Sequence, residues 1–226
     1  HDVGLLRDPD PESVERLIAA GGPALKMITM AVEREHGEAA TRRFVEAGVH
    51  VAFGHSDADD VTTARSIEWG ADVVTHLFNA MPPFAHRDPG VVGAASDYAR
   101  HVEMISDGVH LHPALYRDVT AKVGADRVSL VTDAMAAAGM SDGAYTLGAL
   151  DVDVTNGVAR VAGTTTIAGS TATMDLVFRN AVLGSGLERE PALQLAVKQA
   201  SLNPARAMGL NAGDLRSEER RVGKEC

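Results

Sequence analysis

Short apolar runs alternate with helical patterns along most of the chain, and this rhythm restricts the fold more than any other feature of the sequence. Residues 24–32 (ALKMITMAV) read as a buried strand, and residues 38–48 (EAATRRFVEAG) as a helix closed by glycine. Residues 49–55 (VHVAFGH) form the next strand. Residues 57–70 (DADDVTTARSIEWG) form the next helix, acidic at its start and ending in glycine. Residues 71–76 (ADVVTH) are a short strand, and residues 101–106 (HVEMIS) and 126–133 (DRVSLVTD) two more, the last pair separated by a helix over residues 113–124. Near-continuous apolar strands joined by helices imply a parallel sheet with helices packed on it.

The rhythm then changes. Residues 145–163 alternate with period two around Asn156 and Gly157, a hairpin signal because both turn positions favour positive φ. Two helical stretches follow, residues 171–186 and 191–209. With no repeat or linker before residue 213, residues 1–215 are expected to form one domain carrying a β-hairpin insertion. Hydrophobic residues make up 45% of the chain but aromatic ones only 4%, so Val, Ala, Leu and Ile must fill the core.

A net charge of −10 argues against a nucleic-acid surface, which needs clustered Lys and Arg. An anionic small molecule needs only one or two well-placed cations. No run of about 18 apolar residues is present to span a membrane. No secretion signal is visible, and the expected compartment is the cytoplasm; the single cysteine, Cys226, permits no internal disulfide but falls in the terminal segment described next, so it carries no redox information. The chain opens at His1 rather than Met, which suggests that upstream residues are missing. Residues 216–226 (RSEERRVGKEC) break abruptly from the preceding pattern and resemble the translation of a sequencing adapter, so they are expected to be a non-native tail.

Four strands end in reactive side chains: His55, His76, the segment from Asp107 to His110, and Asp133. In parallel α/β folds the carboxyl ends of strands face the ligand crevice. Two histidines and an aspartate converging from separate strands suit a divalent metal. Each has a plainer reading: either histidine as a hydrogen-bonded loop residue, Asp133 as a helix N-cap before AMAAAGM, Asp107 as a loop cap. The two histidines are too far apart for a local zinc motif. His36, His50, His101 and His112 read as solvent-facing or structural.

Five strings in order, GHSDA, THLFNAMPPFAHRDPGVVGAASD, ISDGVHLHP, LVTDAMAAAG and TTIAGSTATMD, resemble the N-acetylglucosamine-6-phosphate deacetylase family of the amidohydrolase superfamily. The resemblance runs from residue 1 to about residue 214, and its most specific part is residues 75–97. It implies a metal-bearing (β/α)8 barrel flanked by a small β-sandwich. A closed barrel needs more chain than is present, so an incomplete TIM-type barrel with the hairpin insertion is expected, the sandwich being largely absent.

The resemblance implies metal ligands at His55 and His76 and a catalytic Asp133. It implies substrate contacts at His1, Asn79, Ala80, Arg87, Asp107, Gly108, Val109, His110, Ile167, Ala168 and Gly169. One divalent ion, zinc foremost and otherwise iron or another divalent metal, would be the cofactor, and an amino-sugar phosphate the substrate. Arg87 would cross a homodimer interface to the phosphate. The family's first metal ligand, a glutamate in a Leu-Glu-Gly-Pro element, falls upstream of His1, and AVE stands here where the family has APE. Three other readings stay open. A dihydroorotase- or dipeptidase-like amidohydrolase would have no reason for HLFNAMPPFAHR; the others are a non-catalytic sugar-phosphate module and a ligand-free structural piece.

Overall fold

A computed structural model describes residues 3–213. His1 and the adapter-like segment 216–226 lie outside the described residues. Five strands form one parallel sheet: β1 (Met27–Met30), β2 (His50–Phe53), β3 (Val73–Val74), β4 (His101–Met104) and β5 (Val128–Leu130). Their spatial order is their chain order. A sheet whose every step moves to the next neighbour in one direction is the wall of a barrel, whereas a doubly wound sheet reverses at a switch point.

The strands are shorter than their apolar runs. Helices α2 (Gly37–Glu46), α3 (Asp60–Glu68), α4 (Gly90–Tyr98) and α5 (Pro113–Val123) connect them. Val51, Phe53, Val74, Val102, Met104, Val128 and Leu130 point to this helical layer and pack on Phe44, Val91, Ala95, Tyr116 and Val119. The alternate positions, Thr29, Ala52, Val73, Glu103 and Ser129, lie on the opposite face, small or polar for the most part.

Local chemistry sets the helix starts. Asp10 accepts from the Ser13 N–H ahead of α1 (Pro11–Gly21), and Asp59 accepts from the Thr62 N–H ahead of α3. Such caps each contribute about 1 kcal/mol. At α2 the constraint is steric: a Cβ on Gly37 would lie 2.0 Å from the Val32 carbonyl oxygen.

The period-two segment forms a three-stranded antiparallel meander, one strand more than a hairpin: β6 (Gly143–Leu147), β7 (Leu150–Thr155) and β8 (Val158–Val161). Asn156 and Gly157 make its second turn with φ +51° and +72°. Val152, Val154 and Ala159 bury a small second core with Met135, Ala137 and Ala168. Beyond it, Ser170 bridges in parallel to Ala134, extending the barrel wall by one step. Helix α6 (Met174–Gly184) follows. The stretch read as one last helix is α7 (Arg189–Val197), a π-helical turn (Lys198–Leu202) and α8 (Asn203–Ala207). Gln199 in that turn is fully buried and accepts from the Tyr116 hydroxyl, which ties the turn to α5.

Candidate active site

The carboxyl ends of β2 and β3 bring His55 and His76 together, with His55 Nδ1 at 3.3 Å from His76 Nε2. Zinc–nitrogen bonds of about 2.0–2.1 Å at a tetrahedral angle set two ligating nitrogens about 3.3–3.4 Å apart, so this spacing fits co-ligands of one ion. Partial burial holds His55 below its usual pKa, His76 adds to the effect, and the Asp133 charge opposes it. A depressed pKa keeps the ring neutral, the form that ligates metal. Among the described residues, no group of three His, Cys, Asp or Glu side chains is arranged to hold an ion, so the described residues offer the histidine pair and no third ligand beside it.

His55, His76 and Asp133 all have left-handed backbone, with φ +52°, +34° and +51°. Non-glycine residues in that region cost of order 1–3 kcal/mol each and persist where neighbours force the geometry. Here the neighbours are identifiable. Glu33, the glutamate of AVE, accepts from the Ser56 hydroxyl at 2.7 Å and the Asp57 N–H at 2.8 Å, fixing the loop just after His55. The Asn79 amide donates to the carbonyls of His76 and Leu77, and the Ala80 carbonyl accepts from the Ser56 N–H at 3.1 Å. Asn79 and Ala80 therefore lock the two histidine loops to each other.

Glu103 stands alone as a carboxyl on the inner side of β4. Burial pushes its pKa up to about 7, a backbone hydrogen bond from His76 works the other way, and the Asp133 charge raises it further. Sequence reading passed over this residue, although one acidic position inside the apolar run HVEMIS was the available signal.

The segment after β4 folds around Asp107. Its Oδ1 accepts from the N–H groups of Val109 and His110, both at 2.8 Å, in a turn that Gly108 permits with φ +82°. Its Oδ2 contacts His110 Nδ1 at 2.7 Å and accepts from the Ser170 hydroxyl at 2.8 Å. Burial would raise the Asp107 pKa, but the His110 ring, these amides and Ser170 outweigh it and hold it at about 2. Ser170, another residue missed from sequence, also donates its N–H to the Asp133 carbonyl at 2.8 Å. Asp133 starts no helix, so it is not an N-cap.

The remaining predicted contacts are spread more widely. Ala168 is buried under the meander, Gly169 turns with φ +68°, and Ile167 is exposed. Arg87 lies on the exposed loop between β3 and α4. His50 pairs with Asp72 at 2.8 Å, and His112 caps α5 by accepting from the Ala114 N–H, both structural roles.

A sequence profile described as the amidohydrolase family matches residues 20–217. The chain belongs to the amidohydrolase family. The cow N-acetylglucosamine-6-phosphate deacetylase is 38% identical over 218 residues, covering 93% of this chain and 52% of the cow protein. An N-acetylgalactosamine-6-phosphate deacetylase of Escherichia coli O157:H7 is 37% identical over 212 residues, covering 93% of this chain and 55% of that protein. Among solved structures, a mutant N-acetyl-D-glucosamine-6-phosphate deacetylase of Mycobacterium smegmatis in complex with N-acetyl-D-glucosamine-6-phosphate superposes with a TM-score of 0.94 at 53% sequence identity. It covers 98% of this chain and 58% of that one. This amidohydrolase chain thus spans about half the length of the relatives it matches, and its five-stranded wall is part of their barrel.

Proposed function

We propose that the protein to which this amidohydrolase chain belongs removes the N-acetyl group of N-acetylglucosamine 6-phosphate, giving glucosamine 6-phosphate and acetate. The observation that carries this reading is the His55–His76 pair, 3.3 Å apart at adjacent strand ends and close enough to Asp133 to feel its charge. An amide is a poor electrophile with a poor leaving group, so hydrolysis needs an activated water, a stabilised oxyanion and a protonated nitrogen. His55 and His76, with a carboxylate from outside this chain, would hold one divalent ion, zinc or else iron or another divalent metal, and that ion would supply water activation and carbonyl polarisation. Asp133 accepts the proton of the attacking water and then gives it to the departing nitrogen, acting as base and acid in turn.

Asn79, the backbone at Ala80, His110 and the turn of Gly108 and Val109 orient the sugar. Ile167, Ala168 and Gly169 border it. Arg87, reaching from the partner in a homodimer, grips the phosphate through its guanidinium fork, with His1 adding a further polar contact. Residues 1–215 act as the barrel part, residues 216–226 take no role, and the protein works in the cytoplasm without nucleic acid or membrane. Among the described residues no helix is long and apolar enough to cross a membrane.

Equilibrium dialysis against zinc, paired with an amine-release assay on both N-acetylhexosamine 6-phosphates, tests this reading. The 226-residue chain should bind zinc through the histidine pair, lose that binding in His76→Ala, and turn over slowly because one ligand is absent. Equal zinc binding by the wild type and His76→Ala would remove the pair from its role.

A further inference from the structure

Asp107 was expected to touch substrate, but its oxygens are already engaged. An ionised carboxylate offers about four acceptor sites. Oδ1 takes the N–H groups of Val109 and His110, while Oδ2 takes the Ser170 hydroxyl and the His110 ring. The side chains of Asp107 and His110 are only 4% and 6% exposed, and Ser170 is 2% exposed, so water does not compete for these bonds. Such a network binds inward. It has nothing left for a sugar.

The network also decides which ring nitrogen of His110 carries a proton. An ionised carboxylate can only accept, and its depressed pKa keeps Asp107 ionised across the neutral range. The His110 nitrogen 2.7 Å from it must therefore be the donor, Nδ1–H. Oriented histidines in metal and catalytic sites are commonly fixed in this way, by a carboxylate on the ring nitrogen facing away from the ligand.

We propose that Asp107 and Ser170 are positioning residues for His110, holding its ring as the Nδ1–H form and leaving Nε2 as the ring atom that meets a ligand. Ser170 does more than complete the carboxylate's set of donors. Its hydroxyl accepts from the Ala172 N–H at 3.0 Å, its own N–H donates to the Asp133 carbonyl, and its carbonyl accepts from the Met135 N–H. One residue thus joins the loop carrying His110 to the strand end carrying Asp133, so the two side chains keep a common register. The ring assignment stands without any substrate. Only its consequence for catalysis rests on the deacetylase reading.

The test is long-range proton–nitrogen NMR of the histidine rings in the 15N-histidine-labelled 226-residue chain at pH 8, with His110 identified by its loss in His110→Gln. The wild-type ring should carry its proton on Nδ1. Asp107→Asn should convert it to a mixture of both forms, with the signals of the other histidines unmoved. Ser170→Ala, the milder change, should shift the His110 Nδ1 signal and speed exchange of its proton with water several-fold, and Ser170→Thr should restore both. A wild-type ring protonated on Nε2 alone, or an evenly mixed one, overturns the proposal. So does a His110 signal unchanged in Ser170→Ala, an outcome readable even where Asp107→Asn does not fold. None of these readouts uses substrate, so failure of the deacetylase reading leaves a separate signature in the amine-release assay.

Discussion

His55 Nδ1 and His76 Nε2 approach to 3.3 Å because Gly54, just before His55, has no side chain. A Cβ there would sit 2.9 Å from both the Thr75 Cβ and the Thr75 carbonyl oxygen, the residue before His76. The hydroxyls of Thr29 and Thr75 meet at 2.9 Å, joining β1 to the end of β3 across β2. Close packing of strand ends, rather than any local motif, thus brings the two imidazoles together. Their left-handed backbone is held by the Glu33, Asn79 and Ala80 contacts around them.

Gly54→Ala should therefore act as an overpacking change at the site. The expected cost is about 1–3 kcal/mol of stability, typical of added volume in a packed position. Zinc affinity should fall with it, because the histidine loops are forced apart. Thermal unfolding and a zinc titration measure the two effects; a variant matching wild type in both would show that the close approach has slack.

Glu103 gives a pH dependence whose sign follows from its raised pKa of about 7 against an ordinary 4.5. Between these values the folded protein keeps the proton and the unfolded chain releases it, so stability falls as pH rises through this window. The full effect is on the order of 3 kcal/mol. Glu103→Gln keeps the shape and removes the charge. Denaturant unfolding at pH 5 and pH 8 should show the wild type losing stability between the two, and the variant losing much less.

Asp107 gives the opposite limb. Its folded pKa of about 2 lies below the ordinary 3.8, so its stabilisation is present above pH 3.8 and is lost as pH falls toward 2. The loss is on the order of 2 kcal/mol. Asp107→Ala should flatten acid unfolding in that range and be less stable than wild type at pH 7. An unaltered acid limb would mean that the network around Asp107 contributes nothing net.

Much of this was legible in the sequence for a physical reason. The strands read as short, mostly apolar runs and the helices between them end in glycine, so the parallel sheet and the placing of His55, His76 and Asp133 at strand ends followed from pattern, while the barrel order of β1 to β5 came only with the family resemblance. Helix α4 was not read, because GVVGAASDY is small and apolar on every side, and Gly90, Val91, Val92, Gly93, Ala94, Ala95 and Ser96 are all buried. Such a helix has no polar face to mark its period. Helix α1 escaped because it lies ahead of the first strand of the rhythm. Ser170 and Glu33 were invisible as site residues, since each acts by bonding a residue distant in sequence, Asp107 and Ser56 respectively. Pairings of that range are a property of the fold rather than of spacing.

The role proposed for Asp133 is to move the proton at a metal site built on His55 and His76. Its most direct test joins this chain to the upstream half of the Mycobacterium smegmatis relative, then compares wild type and Asp133→Asn for amine release from N-acetylglucosamine 6-phosphate, with bound zinc measured on the same samples. Turnover should drop about 10²–10⁴-fold, the range for a lost general acid–base group, while zinc content stays equal. Turnover within a few-fold of wild type at equal zinc content would contradict it.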